Sequence, residues 1–235
     1  MHKRFARRDD LGLSPAEFRA LERLSTPEKI QAFLNALPAN FEPDGDTALS
    51  VREVLKQRRA HCIEGAMLAA LALWIQGEPP LLLDLEAVRD YDHVVALFRR
   101  GGRWGAISKT NHVSLRYRDP VYRSVRELAM SYFHEYANRR GEKTLRGYSR
   151  AFDLRRIDPK LWVTNGTNCW IVAEMLNATH HYPLIARRHE PHLRTRDRLE
   201  RQALKLRDHQ PPATVRRRWA ERRARAAARR KARRE

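Results

Sequence analysis

The segment from Cys62 to Ile75 limits the possible folds most, because it is apolar on nearly every side and carries only one charged residue, Glu64. A helix that is apolar all round has no face for solvent, so the segment predicts a buried central helix. Gly77 favours the end of that helix, and Pro79 and Pro80 prevent it from restarting. The apolar run is shorter than the roughly 20 residues that a membrane span requires.

Short helices are predicted before this segment and a small sheet after it. The stretches Ser14 to Glu17 and Ser50 to Glu53 have the form of capping boxes, and Thr26-Pro27 opens a further helix. A long amphipathic helix is expected near residues 121–137. The expected strands are 81–85, 93–98, 104–108 and 161–164, with Gly101-Gly102 as a hairpin turn. The pattern indicates an α+β domain in which a Cys-bearing central helix packs on a small antiparallel sheet.

Cys62 lies where the central helix is expected to begin, and His93 lies where a strand is expected to begin. The partial positive charge of a helix N-terminus favours a thiolate over a thiol. A nearby histidine lowers the thiol pKa further and protonates a leaving group, while a polar group on the next strand fixes the imidazole tautomer. The order of these residues predicts Cys62 as a nucleophile and His93 as acid and base, with a polar group on the neighbouring strand to orient His93.

In this combination the chain resembles the transglutaminase-like superfamily of papain-like cysteine proteins. Its members have a cysteine at the start of an Ala- and Leu-rich helix, then a histidine on the sheet and an acidic residue on the adjacent strand. Here the segment from Cys62 to Leu71 is similar to the first element, Asp92 to Phe98 to the second, and Trp104 to Ser108 to the third. The resemblance covers about residues 26–108 and implies a papain-like core and amide or peptide chemistry at Cys62.

The chain departs from that family at Ser108, where the resemblance implies aspartate. If Gly101-Gly102 is a two-residue turn, Ser108 and Thr110 share the face of the sheet on which His93 lies. Serine cannot balance the charge of an imidazolium, so the site is expected to be slow, to use another acid, or to be inactive. The alternative orienting residues are Lys109 and Asn111 in a shifted register, and Asp84 and Asp119 elsewhere.

The second cysteine, Cys169, also stands near a helix start, but no strand-borne histidine follows it. A buried core thiol is the favoured interpretation, because free cysteines are usually buried. The four histidines His180, His181, His189 and His192 lack metal-ligand spacing and are interpreted as surface residues. No metal or cofactor is expected.

The C-terminal quarter holds most of the excess positive charge. Residues 187–235 contain 19 Lys and Arg against 6 Asp and Glu, in a chain whose net charge is +19. We therefore expect a domain over residues 1–186 and a basic, helical or partly disordered extension over residues 187–235. Such an extension suits nucleic acid or another polyanion through phosphate contacts. The N-terminus is basic, but no apolar segment follows it, so it is not predicted to be a signal peptide. The sequence therefore predicts a cytoplasmic protein with reduced cysteines.

Two functions remain open on the sequence alone. The first is a cysteine-dependent hydrolase or acyltransferase that forms a thioester at Cys62 and acts on a peptide or amide substrate, with no membrane partner. The second is a catalytically weakened papain-like module whose basic tail binds nucleic acid or an acidic partner.

Overall fold

The computed structural model describes residues 5–232, which form a mixed α and β structure. The helices are α1 (Arg8–Leu11), α2 (Pro15–Glu22), α3 (Pro27–Ala36), α4 (Val51–Gln57), α5 (Cys62–Ile75), α6 (Val125–Ser131), α7 (Trp170–Asn177), α8 (Arg198–Ala203) and α9 (Ala213–Ala232). The strands are β1 (Leu81–Ala87), β2 (His93–Arg100), β3 (Arg103–Ile107), β4 (Arg118–Tyr122), β5 (Leu145–Ser149), β6 (Phe152–Asp153) and β7 (His181–Pro183). Short 3-10 turns cover 154–156, 159–161 and 187–192.

The strands form one antiparallel sheet in the order β4-β3-β2-β1-β5-β7, and β6 pairs with the beginning of β1. The β2–β3 hairpin pairs Arg100 with Arg103, so Gly101-Gly102 is a two-residue turn as predicted. Both glycines have positive φ angles, 54° and 75°, which a type I′ hairpin turn requires. The register then runs to Ala96 opposite Ile107 and places Ser108 directly after β3.

Helix α5 lies against β1 and β2 and is surrounded by α2, α3 and α4, which confirms the predicted central helix. Its residues from Ile63 to Trp74 are buried, including the one charged side chain, Glu64. Gly65 allows a close approach, because a Cβ there would lie 2.4 Å from Cβ of Lys109. Lys109, two residues after the end of β3, therefore packs directly on the first turn of α5, and this contact places the end of the hairpin beside Cys62.

The opposite face of the sheet is covered by α6 and the residues after it. Leu128, Tyr132 and Tyr136 pack there against strand residues such as Val95 and Leu97. Helices on both faces leave the sheet buried, which agrees with the predicted α+β class.

Two predicted elements are wrong. The long helix expected over 121–137 is replaced by strand β4, which pairs with β3, and by the short helix α6. The expected strand at 161–164 is instead the end of a 3-10 turn in which Trp162 is fully buried. In both places a tertiary contact outweighs the local periodicity.

The basic C-terminal part makes several contacts with the rest of the described chain, and the boundary predicted at residue 186 stays a prediction. Arg146 pairs with Glu190 at 3.0 Å, and the backbone N–H of Arg196 donates to the carbonyl of Gly141 at 2.8 Å. In α9, Trp219 meets the edge of Phe41, with ring centroids 6.1 Å apart. Among residues 5–232, no helix is both long and apolar enough to cross a membrane.

Candidate active site

Cys62 is the first residue of α5 and is half-buried. The first N–H groups of a helix have no partner within the helix, and they carry partial positive charge. The thiol therefore lies at the positive end of the most deeply buried helix, on a part of the chain that the core holds in place. The geometry expected for a reactive thiol at a helix start is present.

His93, the first residue of β2, is buried and points its Nε2 at the hydroxyl of Ser108, 2.8 Å away. The Ser108 hydroxyl lies 2.5 Å from the carbonyl oxygen of Leu115 and donates its only proton there, because a carbonyl can only accept. The hydroxyl oxygen must then accept from His93, so Nε2 of the imidazole carries a proton. This leaves Nδ1 of His93 with a lone pair that can take up a proton, and His93 is one of the two histidines whose hydrogen bonds and charge lower the pKa of the Cys62 thiol.

Ser108 is itself held on three sides. Its backbone N–H donates to Oε1 of Gln31 at 2.9 Å, and Nε2 of Gln31 donates back to its carbonyl at 2.8 Å. Leu115, which accepts the hydroxyl proton, has a φ of 60°, a backbone conformation that is uncommon for leucine. The N–H of Leu115 donates to Glu135 at 2.8 Å. The hydroxyl position is therefore set by the surrounding structure, and a serine suffices to fix the tautomer of His93.

A second histidine, His61, lies beside the thiol. Its Nδ1 is 3.9 Å from Sγ of Cys62, and its Nε2 donates to the carbonyl of Thr47 at 2.9 Å. The same Nε2 lies 3.2 Å from the carboxylate of Glu64 and 3.4 Å from that of Glu42. Each of the two histidines therefore uses Nε2 to hold its position, and Nδ1 of His61 remains for the sulfur.

Glu64 is the buried anion beneath His61. Its carboxylate accepts from the backbone N–H groups of Leu49 and His61, both at 2.9 Å. It also accepts from the Thr47 hydroxyl at 2.8 Å and from the Asn40 amide at 3.0 Å. A carboxylate with this many donors stays ionised despite its burial, and the pKa of Glu64 is lowered because these hydrogen bonds and His61 outweigh desolvation.

The charges of the cluster reinforce one another. Burial alone would raise the pKa of the Cys62 thiol, but hydrogen bonds and charge from His61 and His93 outweigh it and hold that pKa well below its usual value. Burial would likewise lower the pKa of His61, whereas the hydrogen bonds to Cys62 and Glu64 raise it to about 11. At neutral pH the site therefore contains a thiolate beside an imidazolium, with Glu64 as the fixed counter-charge.

The alternative orienting residues do not reach His93. Asn111 is committed to the C-terminal part, because its amide exchanges two hydrogen bonds with the backbone of His209 at 2.8 and 2.9 Å. Lys109 is buried, and its ammonium donates to the carbonyls of Leu34 and Leu37, where α3 ends. Burial lowers the pKa of Lys109 to about 8.

The two aspartates named as alternatives also lie elsewhere. Asp119 is exposed on β4, at the edge of the sheet. Asp84 is buried on β1 and lies 3.1 Å from Nε2 of His181, so the interpretation of His181 as a surface residue is wrong. Burial and the charge of Asp92 raise the pKa of Asp84 to about 6. Within residues 5–232, no group of three or more His, Cys, Asp or Glu side chains is arranged to hold a metal ion.

Cys169 differs from Cys62 in its burial, its neighbours and the direction of its pKa shift. It is fully buried at the start of α7, and its sulfur lies 3.8 Å from the carbonyl of Trp162. Burial raises the pKa of this thiol to about 12. The residue therefore packs as a core thiol, as expected.

Sequence reasoning found Cys62, His93 and Ser108, which the structure brings together, but it missed His61 and Glu64. A signal for both is present in the sequence. His61 directly precedes the cysteine, and Glu64 is the only charge in an otherwise apolar helix, three residues after His61. A buried carboxylate needs a partner, and the nearest residue able to provide positive charge at that spacing is His61.

The chain matches no protein-family model, and no curated protein matches it.

Proposed function

We propose that the protein is a cysteine-dependent hydrolase or acyltransferase with a transglutaminase-like, papain-like core, and that it acts on an amide or peptide carbonyl. The observation that carries this proposal is the convergence of His61 and His93 on the thiol of Cys62, each anchored through its own Nε2. A cysteine that only fills the core does not need two oriented histidines and a buried carboxylate, whereas a nucleophile is activated by such neighbours.

The reaction begins from the thiolate of Cys62, whose proton lies on Nδ1 of His93. The thiolate attacks the carbonyl carbon, the C–S bond forms, and the electron pair of the C=O bond moves to the oxygen. When the tetrahedral intermediate collapses, the C–N bond breaks and the amine leaves with the proton from Nδ1 of His93. His61 keeps its proton throughout and balances the negative charge of the sulfur.

The resulting thioester is resolved by water or by a second amine. His93 accepts a proton from that nucleophile through Nδ1, and the acyl group leaves Cys62 as an acid or as a new amide. The backbone N–H of Cys62, at the helix start, is the natural donor to the developing oxyanion.

Ser108 takes the place of the acidic residue that the resemblance implies. An aspartate would orient the imidazole and also balance its charge. Here the two tasks are divided, because Ser108 and Leu115 fix the tautomer of His93 while Glu64 and His61 provide the charge. This division supports an active site in spite of the substitution.

The proposal is tested with p-nitrophenyl acetate, a small activated ester that acylates a nucleophile without specific substrate recognition. We expect a burst of p-nitrophenol and an acetyl group on the peptide that contains Cys62, detected by mass spectrometry. Cys62→Ala should abolish both signals, and His93→Asn should slow the release of the acetyl group from Cys62 by about 100-fold or more, because the attacking water then lacks its general base.

Cys169→Ala is the matched control, because it removes the other thiol and leaves the site intact. Release of the acetyl group from Cys62 that proceeds equally fast in His93→Asn would contradict the proposed role of His93. Absence of any Cys62 adduct in the wild type would overturn the proposed nucleophile.

A further inference from the structure

A concave, open pocket of about 570 Å³ lies between α8 and the turn at residues 138–141. Five of its eight lining residues are cationic, and none of the eight is acidic. The cations are Arg139, Arg198, Arg201, Lys205 and Arg207. None of the eight lining residues belongs to the Cys62 site, so the pocket is a separate feature of the molecule.

The pocket is held together by the fold. Gly141 has a φ of 83°, and a Cβ at this residue would lie 3.1 Å from Cδ of Arg201 and 3.4 Å from Cβ of Arg196. The backbone N–H of Arg196 donates to the carbonyl of Gly141 at 2.8 Å, and its buried guanidinium donates to the carbonyl of His134 at 2.5 Å. These contacts fix the start of α8 against the turn, so the cations of the two segments face one space.

The acidic residues nearby are paired elsewhere. Asp197 directly precedes α8 and Glu200 lies on it. Both contact Arg194, at 3.7 and 3.1 Å respectively. Asp208 pairs with Arg116 at 2.6 Å. Within residues 5–232, no ion pair involves any of the five cations that line the pocket. Like charges held together without a counter-ion favour an anionic ligand.

Arginine predominates in the pocket, and its planar guanidinium suits bidentate contacts with phosphate. Positive charge is also dense further along the chain, because residues 213–232 hold nine Lys and Arg against one acidic residue. A single small anion would use only a part of this charge, whereas a ligand with many negative charges would use more of it. An acidic protein partner would need a buried aromatic or aliphatic anchor, and the pocket offers only the half-buried Leu204.

We propose that this pocket binds the phosphate backbone of nucleic acid and that α9 adds long-range attraction. No aromatic residue lines the pocket, so bases have no stacking platform there. Binding is therefore independent of base sequence and falls steeply with salt.

The test uses fluorescence anisotropy with a fluorescein-labelled DNA duplex of about 20 base pairs, which is two helical turns. The full chain should bind with a Kd on the order of 10 µM near 0.15 M salt, in the range of sequence-independent DNA binding. The triple variant Arg139→Gln, Arg198→Gln, Arg201→Gln removes three pocket cations. The control triple Arg216→Gln, Arg223→Gln, Arg225→Gln removes three exposed cations from α9.

The pocket triple should weaken binding about tenfold at this salt, from the loss of two to three phosphate contacts, and the control triple less than about threefold. Equal losses of duplex affinity in the two triple variants would overturn the proposed pocket site and indicate only general electrostatic attraction. Absence of duplex binding near 50 mM salt would overturn the whole proposal, as would tighter binding to polyglutamate or to anionic phosphatidylserine vesicles.

Discussion

The two cysteines of this chain begin two helices, yet their surroundings give them opposite chemistry. Cys62 opens α5 half-buried between two histidines, and its pKa is lowered. Cys169 caps α7 inside the core, and burial raises its pKa to about 12. A helix N-terminus is common to both, so the helix dipole does not decide which thiol is activated. The difference comes from the imidazoles and from the buried carboxylate that holds one of them.

The largest effect expected from this comparison is the difference in alkylation rate between the two thiols. Near pH 6, iodoacetamide should modify Cys62 at least about 1000-fold faster than Cys169, because only Cys62 is ionised and accessible. Mass spectrometry of timed digests gives both rates in one experiment. Cys62→Ala should remove the fast phase, and Cys169→Ala should leave it unchanged. Comparable rates at the two cysteines would show that the imidazoles do not activate Cys62.

The next largest effect concerns His61 and Glu64. His61→Asn removes the positive charge beside the sulfur, so burial of Cys62 prevails and the thiol pKa rises. A thiolate is lost as pH falls through its pKa, so the variant should react about 10- to 100-fold more slowly near pH 6, with the deficit shrinking toward pH 9. Glu64→Gln should also slow the alkylation of Cys62 near pH 6, but by a smaller factor. His61 stays in place in this variant and loses only the counter-charge of the carboxylate.

The pH profile of iodoacetamide alkylation distinguishes this role from a structural one. A general loss of structure would lower the rate at every pH, whereas a raised thiol pKa shifts the profile toward alkaline pH. His180→Asn, at an exposed position away from the site, is the matched control and should reproduce the wild-type profile. A wild-type profile in His61→Asn would contradict the role of His61.

Much of this site could be predicted from the sequence because its main parts depend on local patterns. The apolar run that begins at Cys62 specifies α5, and Gly101-Gly102 specifies the hairpin turn. These two features together place His93 and Ser108 near the start of α5. The resemblance pointed to Ser108, a two-residue turn supported it, and Asn111 stayed open as the alternative for a loop of odd length.

The remaining features depend on contacts between distant residues, which a local pattern does not carry. The bond from His181 to Asp84 joins residues 97 positions apart, and the amide of Asn111 is occupied by His209, 98 positions away. Strand β4 was missed for a similar reason, because it is an edge strand that exists through its pairing with β3.

A smaller effect is expected at Ser108, which separates orientation of the base from activation of the thiol. Ser108→Ala removes the acceptor for Nε2–H of His93, so the imidazole is free to adopt the other tautomer. After acetylation by p-nitrophenyl acetate, release of the acetyl group from Cys62 should slow about tenfold, because an imidazole in the wrong tautomer cannot accept the proton of the attacking water. Alkylation of Cys62 by iodoacetamide should change little, since His61 still stabilises the thiolate.

Ser108→Thr is the conservative control, because it keeps the hydroxyl that accepts from His93, and it should restore most of the rate of acetyl release. An equal fall in the rates of acetyl release and of alkylation in Ser108→Ala would indicate that the serine supports the structure rather than the tautomer.

The smallest effect is expected at the unreactive thiol. Cys169→Ala removes one sulfur atom from a fully buried position among the core residues near Trp162, so it should lower the free energy of unfolding by about 1 kcal/mol. Urea denaturation followed by tryptophan fluorescence measures this change as a lower midpoint with an unchanged slope. The rate of alkylation at Cys62 should stay at the wild-type value. If it fell together with stability, the two thiols would be coupled through the core, and the activation of Cys62 could not be assigned to its immediate neighbours alone.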